Sequence, residues 1–209
     1  MDSSVQSFDQ LVIDLSHPNP NIREAACNLM AEHYADQAMP RLISLLHDPD
    51  PALYRTAVKG LGILGHQSVP PLLELFKKTD NGTVKACCIK ALVQVSVNFP
   101  TQAFPPQTMD VLEQALDEDN PVVAQSALMT LGHLSKQDSE KEHVIPLLIK
   151  ACERDNIAHV QGALMALAEL DSPLVHDCLK KLASDTNKDS LVREMAQASV
   201  ERRESLNLV

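Results

Sequence analysis

Six times along this chain an Asn or Asp stands seven residues before a small residue, and four residues further on comes an aliphatic one. The first column is Asn19, Asp50, Asn81, Asn120, Asn156 and Asp189; the second is Ala26, Ala57, Cys88, Ala127, Ala163 and Ala196; the third is Met30, Leu61, Leu92, Leu131, Leu167 and Val200. Successive small residues lie 31, 31, 39, 36 and 33 positions apart. A period of this size is one supersecondary unit repeated, and it predicts a solenoid rather than a globule built around a pocket. A solenoid offers extended surface, which favours holding another macromolecule over catalysis.

Each Asn or Asp reads as a helix N-cap, its side-chain oxygen accepting a backbone N–H that has no partner within the first turn. Pro20, Pro51 and Pro121 follow three of these caps, at the helical position where a missing N–H costs nothing. The small and aliphatic columns then share one face of the helix. Upstream of every cap lies a second apolar segment: Phe8–Leu15, Pro40–Leu46, Pro71–Phe76, Met109–Leu116, Pro146–Ala151 and Leu174–Leu182. The predicted unit is therefore a helix A, a tight turn and a helix B, the arrangement of a HEAT repeat. The expected fold is all-α: about six helix pairs forming a right-handed superhelical arc, in a single domain over residues 1–209.

Three segments depart from the period. Asn98–Thr108, with Pro100, Pro105 and Pro106, lengthens one connection. Ser135–Glu142 is expected as a charged loop. Glu201, Arg202, Arg203 and Glu204 are expected to face water at the end of the array, as a terminal repeat requires.

Composition narrows the function classes. The formal net charge of −10 disfavours nucleic acid, whose phosphates need a basic surface. No apolar run reaches the ~18–20 residues of a membrane span, and the first ten residues are polar, so a cytoplasmic location is expected. The five cysteines lack CxxC spacing and fall mostly in apolar helical contexts, which predicts small core residues in a reducing compartment. The eight histidines form no HExxH motif and no i,i+4 pair, and are expected at helix ends or in solvent. No GxSxG, P-loop or GxGxxG motif is present, and Gly60, Gly62 and Gly65 fit close helix packing. The expectation is no catalytic residue, no metal and no tightly bound cofactor.

The informative surface is the face of the B helices opposite the core. Counting from three residues before the small column, positions 1, 5 and 8 point away from it. Position 1 holds Glu24, Arg55, Ala86, Gln125, Gln161 and Glu194; position 5 holds Asn28, Lys59, Lys90, Met129, Met165 and Ala198; position 8 holds Ala31, Gly62, Val93, Gly132, Ala168 and Glu201. In HEAT arrays the B helices line the concave side, so these residues are expected to floor a groove. Arg55, Lys59 and Lys90 make one part of it basic. Gln125, Met129, Gln161 and Met165 make the other uncharged, with methionines suited to an adaptable apolar contact.

Several stretches resemble the phycobilisome-lyase HEAT-like repeat family of cyanobacteria: HPNPNIREAA (17–26), YRTAVKGLG (54–62), DNGTVKACCIKALVQVSVNFP (80–100), DEDNPVVAQSALMTLGHL (117–134) and DSLVREMAQASV (189–200). The stretch from Asp80 to Pro100, the proline-rich insertion and the following DNPVV carry the resemblance most specifically. They are most similar to the small partner of a phycoerythrin lyase pair. Lys85 stands where Arg is common in the motif, and Ala124 and Val160 replace the basic residue in repeats four and five. The resemblance implies a chaperone-like accessory or lyase-subunit role in attaching phycoerythrobilin, a linear tetrapyrrole, to phycoerythrin cysteines. It also implies a phycoerythrin subunit as client, a larger HEAT-repeat bilin lyase subunit as partner, and phycoerythrobilin as a transient ligand. Two other readings are a lyase with its own bilin site and a non-catalytic HEAT adaptor, for an iron–sulfur scaffold or for phycobilisome turnover.

Overall fold

In the computed structural model, residues 6–154 and 156–206 are described. They form twelve α-helices and one short 3-10 turn. In order these are α1 (Phe8–Asp14), α2 (Pro20–His33), α3 (Ala35–Leu45), α4 (Pro51–Leu64), the 3-10 turn (Gly65–Ser68), α5 (Val69–Lys78) and α6 (Gly82–Asn98). After the insertion come α7 (Gln107–Leu116), α8 (Pro121–Leu134), α9 (Lys141–Cys152), α10 (Ile157–Leu167), α11 (Pro173–Ser184) and α12 (Ser190–Ser205). Odd-numbered helices are the A helices and even-numbered ones the B helices, giving the six expected pairs.

All six predicted caps are made. Asn19 Oδ1 accepts from Asn21 N at 3.0 Å, Asp50 Oδ1 from Ala52 N at 2.8 Å, and Asn120 Oδ1 from Val122 N at 2.9 Å. Asn81 and Asn156 each accept from two backbone N–H groups, and Asp189 Oδ1 accepts from Leu191 N at 2.8 Å. Every member of the small and aliphatic columns is buried. Local capping and core packing thus repeat together, because each B helix meets the same two constraints.

The contacts gather into two compact units, residues 1–108 and 109–209. In the first, α4 packs against both α2 and α6; in the second, α10 packs against both α8 and α12. Side-by-side stacking of B helices needs small residues at the crossings. A Cβ on Gly62 would overlap Gln94 Cβ on α6. Gly65 has φ +77°, a left-handed conformation, and a Cβ there would lie 2.7 Å from the Phe99 ring. The glycine cluster therefore serves packing, as expected.

Some boundaries differ from expectation. Helices α3 and α9 begin five residues before Pro40 and Pro146, which lie inside them. Each proline deletes one helical hydrogen bond, but both prolines are exposed, as are Asp36 and Glu142 four residues earlier, so water can reach the freed carbonyls. The charged loop expected over Ser135–Glu142 is shorter, because Lys141 and Glu142 open α9 and Glu140 is buried. Consecutive turns (Gln137 N to Leu134 O, Glu140 N and Lys141 N to Gln137 O) lead directly into that helix. The proline-rich insertion is non-helical over residues 99–106, and Phe99 and Phe104 pack around His66 with ring centroids at 6.3 and 5.0 Å.

The end of the array holds the largest departure. Glu201, Arg202 and Glu204 face water, but Arg203 is completely buried. Its guanidinium donates to the carbonyls of Leu170 and Ser172, in the turn between α10 and α11. Backbone carbonyls in such a turn lack helical donors, and a guanidinium supplies several from one side chain.

Candidate binding faces on the B helices

All seven predicted surface residues are exposed. In the first unit, Arg55 and Lys59 project from α4 and Lys90 from α6. The Arg55 guanidinium lies 5.9 Å from the centre of the Tyr54 ring, and Lys59 Nζ is 3.5 Å from Glu24 Oε2 of α2. That ion pair joins two solvated side chains and contributes little stability. It leaves both cations available to a partner. A depression of about 290 Å³ opens between α2 and α4, lined by Pro20, Arg23, Glu24, Cys27, Ala52, Arg55, Thr56 and Lys59. Arg23 was not among the predicted surface residues. Its Nη1 donates to His17 O at 2.7 Å and Pro18 O at 3.0 Å, bracing the preceding turn.

In the second unit, Met129 on α8 and Met165 on α10 are 63% and 67% exposed, flanked by exposed Gln125 and Gln161. The methionines are therefore surface rather than core. The apolar face is wider than the sequence reading placed it. Val122 is 53% exposed seven residues before Met129, and Leu191 is 48% exposed seven residues before Ala198. Seven residues is nearly two helical turns, so each pair shares a face. The equivalent positions in the first unit hold Asn21, Ala52 and Thr83, so the apolar extension belongs to the second unit.

The third predicted row is not a floor. At position 8, Gly62 and Ala168 are buried while Ala31, Val93 and Gly132 are partly buried; at position 1, Ala86 is buried too. A single-helix wheel sees only its own core, whereas these positions meet the neighbouring B helix. A Cβ on Gly132, for example, would touch Ala166 Cβ at 3.4 Å.

Four of the five thiols are core, as expected, and Cys178 is only partly buried. Burial pushes Cys27 and Cys88 up to about 12, and Cys87 upward as well. The histidines fit expectation less uniformly. His159 is buried in α10, and burial, followed by the nearby Arg154 charge, lowers its pKa. His133 is lowered by burial and then by Lys136. Among the described residues no group of three or more His, Cys, Asp or Glu is placed to hold a metal ion, and no helix is long and apolar enough to cross a membrane.

The paired helices, the capped turns and the stacked B helices define a HEAT-repeat protein, and a family model for HEAT repeats matches residues 8–93 and 109–201. The chain is 59% identical over 181 residues to the bilin biosynthesis protein CpeZ of Synechococcus sp. (strain WH8020), covering 87% of this chain and 97% of that protein. It is 34% identical to the uncharacterized phycocyanin operon protein Z of Pseudanabaena tenuis (strain PCC 7409), covering 96% of each. The chain belongs to the CpeZ family of bilin biosynthesis proteins. Among solved structures, the complex of CpcE and CpcF of phycocyanin lyase from Nostoc sp. PCC7120 shares the fold, with a TM-score of 0.59 and 23% identity over 78% of this chain and 97% of that one.

Proposed function

We propose that this chain is an accessory, chaperone-like lyase subunit that assists covalent attachment of phycoerythrobilin to phycoerythrin cysteines. The observation that carries this reading is the 59% identity to CpeZ over nearly the whole of that protein. The exposed B-helix faces add a physical account. A bilin has an apolar conjugated body and two propionates. Arg55, Lys59 and Lys90 are suited to carboxylates, and Met129 and Met165 to an apolar helix or the tetrapyrrole body. A larger HEAT-repeat lyase subunit is the expected partner.

Thioether formation adds a thiolate sulfur to an exocyclic double bond of the bilin, and a proton goes to the adjacent carbon. Cys27, Cys87 and Cys88 are buried with raised pKa values, so they are poor nucleophiles. In this reading the client supplies the thiolate, and this chain positions client or pigment.

Lys59→Glu combined with Lys90→Glu tests the basic face. Both residues are exposed, so helicity by circular dichroism is expected to be unchanged. Binding to the phycoerythrin subunit is expected to weaken roughly tenfold at low salt, with the difference shrinking as salt rises. Binding equal to wild type at low salt would place the client elsewhere.

A further inference from the structure

In the first unit, cationic side chains from two B helices converge on a hollow, the depression of about 290 Å³ between α2 and α4. Arg23 reaches it from α2, and Arg55 and Lys59 from α4; Glu24 of α2 is the acid on its wall. Lys90 lies outside it, on α6. The hollow therefore carries three positive side chains against one negative. Pro20 and Ala52 also wall it, which sets it beside the N-terminal turns of both helices, whose partial positive charge adds to the field.

How each charge is held decides what the hollow can take. Arg23 spends Nη1 on the carbonyls of His17 and Pro18, which fixes the plane of its guanidinium. Arg55 leans on the Tyr54 ring, and neither arginine has a carboxylate partner among the described residues. Lys59 is paired with Glu24 at 3.5 Å, but both side chains are more than half exposed, so the pair is weak and readily exchanged. On the floor, Thr56 Oγ1 donates to Ala52 O, and Cys27 Sγ lies 3.9 Å from Thr56 O, so the polar atoms there are already engaged. A ligand's charge must then meet the side-chain cations, while Pro20 and Ala52 offer only apolar contact. An acid on a short apolar arm suits both; a bare phosphate has no arm to place there. The volume is at the low end of ligand pockets (~300–1,000 Å³), so the hollow takes a small acid or one arm of a larger one.

We infer that this hollow is a carboxylate-binding subsite, in which Glu24 stands in for the ligand until an incoming carboxylate displaces it from Lys59. The incoming carboxylate lies between Arg55 and Lys59, its methylene arm rests on Pro20 and Ala52, and Arg23 adds charge from the opposite wall. The exchange costs little, because Glu24 is solvated before and after it. A guanidinium and an ammonium together hold a carboxylate better than the ammonium alone. The inference builds on the basic-face reading given above and supplies it with a ligand group. Its test needs neither pigment nor client, so the two readings can fail separately.

The probe is glutarate, with uncharged glutaramide as control, titrated into the full chain at low and constant ionic strength and followed by amide NMR shifts. Glutarate is expected to shift amides of residues 20–27 and 52–59 together and saturably, and glutaramide none of them. Arg55→Gln is expected to weaken glutarate binding roughly fivefold or more, whereas Lys90→Gln leaves it within about twofold. Glu24→Gln reverses the sign: it removes the competing acid and is expected to tighten binding roughly threefold. All three substituted side chains are exposed, so the fold is expected to survive each change. Displacement of bound glutarate by phycoerythrobilin but not by its dimethyl ester would assign the arm to the pigment, and displacement by the phycoerythrin subunit alone would assign it to an acidic side chain of the client; either supports the inference. No tightening in Glu24→Gln, equal weakening by Lys90→Gln and Arg55→Gln, binding of glutaramide as strong as that of glutarate, or shifts spread over every exposed cation would each overturn it.

Discussion

Arg203→Ala is expected to lower the unfolding free energy by about 2–4 kcal/mol. The residue sits at the end of an otherwise exposed, charged segment, yet it is completely buried. Its guanidinium is the donor for the carbonyls of Leu170 and Ser172, and removing it leaves them without that partner inside the fold. Arg203→Met keeps much of the side-chain bulk but supplies no donor, so it should recover only the packing part. Urea unfolding gives the size of the loss. Hydrogen exchange should place it in α11 and α12, with amides of residues 6–108 unaffected. A loss under about 0.5 kcal/mol would mean that water replaces the guanidinium without penalty.

Met129→Glu together with Met165→Glu is expected to weaken biliprotein binding by more than roughly tenfold while leaving the fold intact. Both side chains are more than 60% exposed, so neither substitution opens a cavity. In a complex, each methionine covered by a partner contributes on the order of 1.5 kcal/mol, and a covered carboxylate without a partner costs more than that gain. The loss is therefore expected to exceed that of the basic-face variant, because salt and water weaken exposed ion pairs but not apolar contact. Met129→Leu with Met165→Leu is the control and should bind nearly as wild type does. Calorimetry or surface binding measures the difference. Affinity within twofold of wild type in the glutamate pair would remove this face from the account.

What the sequence disclosed and what it withheld follow from the range of the forces involved. The caps at Asn19, Asp50, Asn81, Asn120, Asn156 and Asp189 are local: each side chain bonds a backbone N–H two or three residues away. The core columns are local too, since helical periodicity alone puts them on one face. The starts of α3 and α9 lie before the apolar segments that open on Pro40 and Pro146, in polar residues that carry no apolar period. An exposed proline inside a helix loses one hydrogen bond whose freed carbonyl can be hydrated.

Arg203 was misread because its partners lie more than 30 residues away, in a turn that no local pattern marks. Position 8 failed for a related reason: Gly62 and Gly132 face the next B helix, which a one-helix wheel omits. The exposure of Arg55, Lys59, Lys90, Gln125, Met129, Gln161 and Met165 was legible, because helical periodicity alone sets them opposite the buried columns. Val122 and Leu191 were missed because the wheel began too late in the helix, although their spacing of seven from Met129 and Ala198 was a usable signal.

The central claim is that this chain assists attachment without performing it alone. Co-expression with phycoerythrobilin and a phycoerythrin subunit, with and without the larger HEAT-repeat lyase subunit, tests it most directly. Covalently bound chromophore is read by fluorescence of the denatured phycoerythrin subunit. The account predicts none with this chain alone, and more with both proteins than with the larger subunit alone. Chromophore attached by this chain alone would contradict it, as would identical yields with and without this chain and no binding of the phycoerythrin subunit.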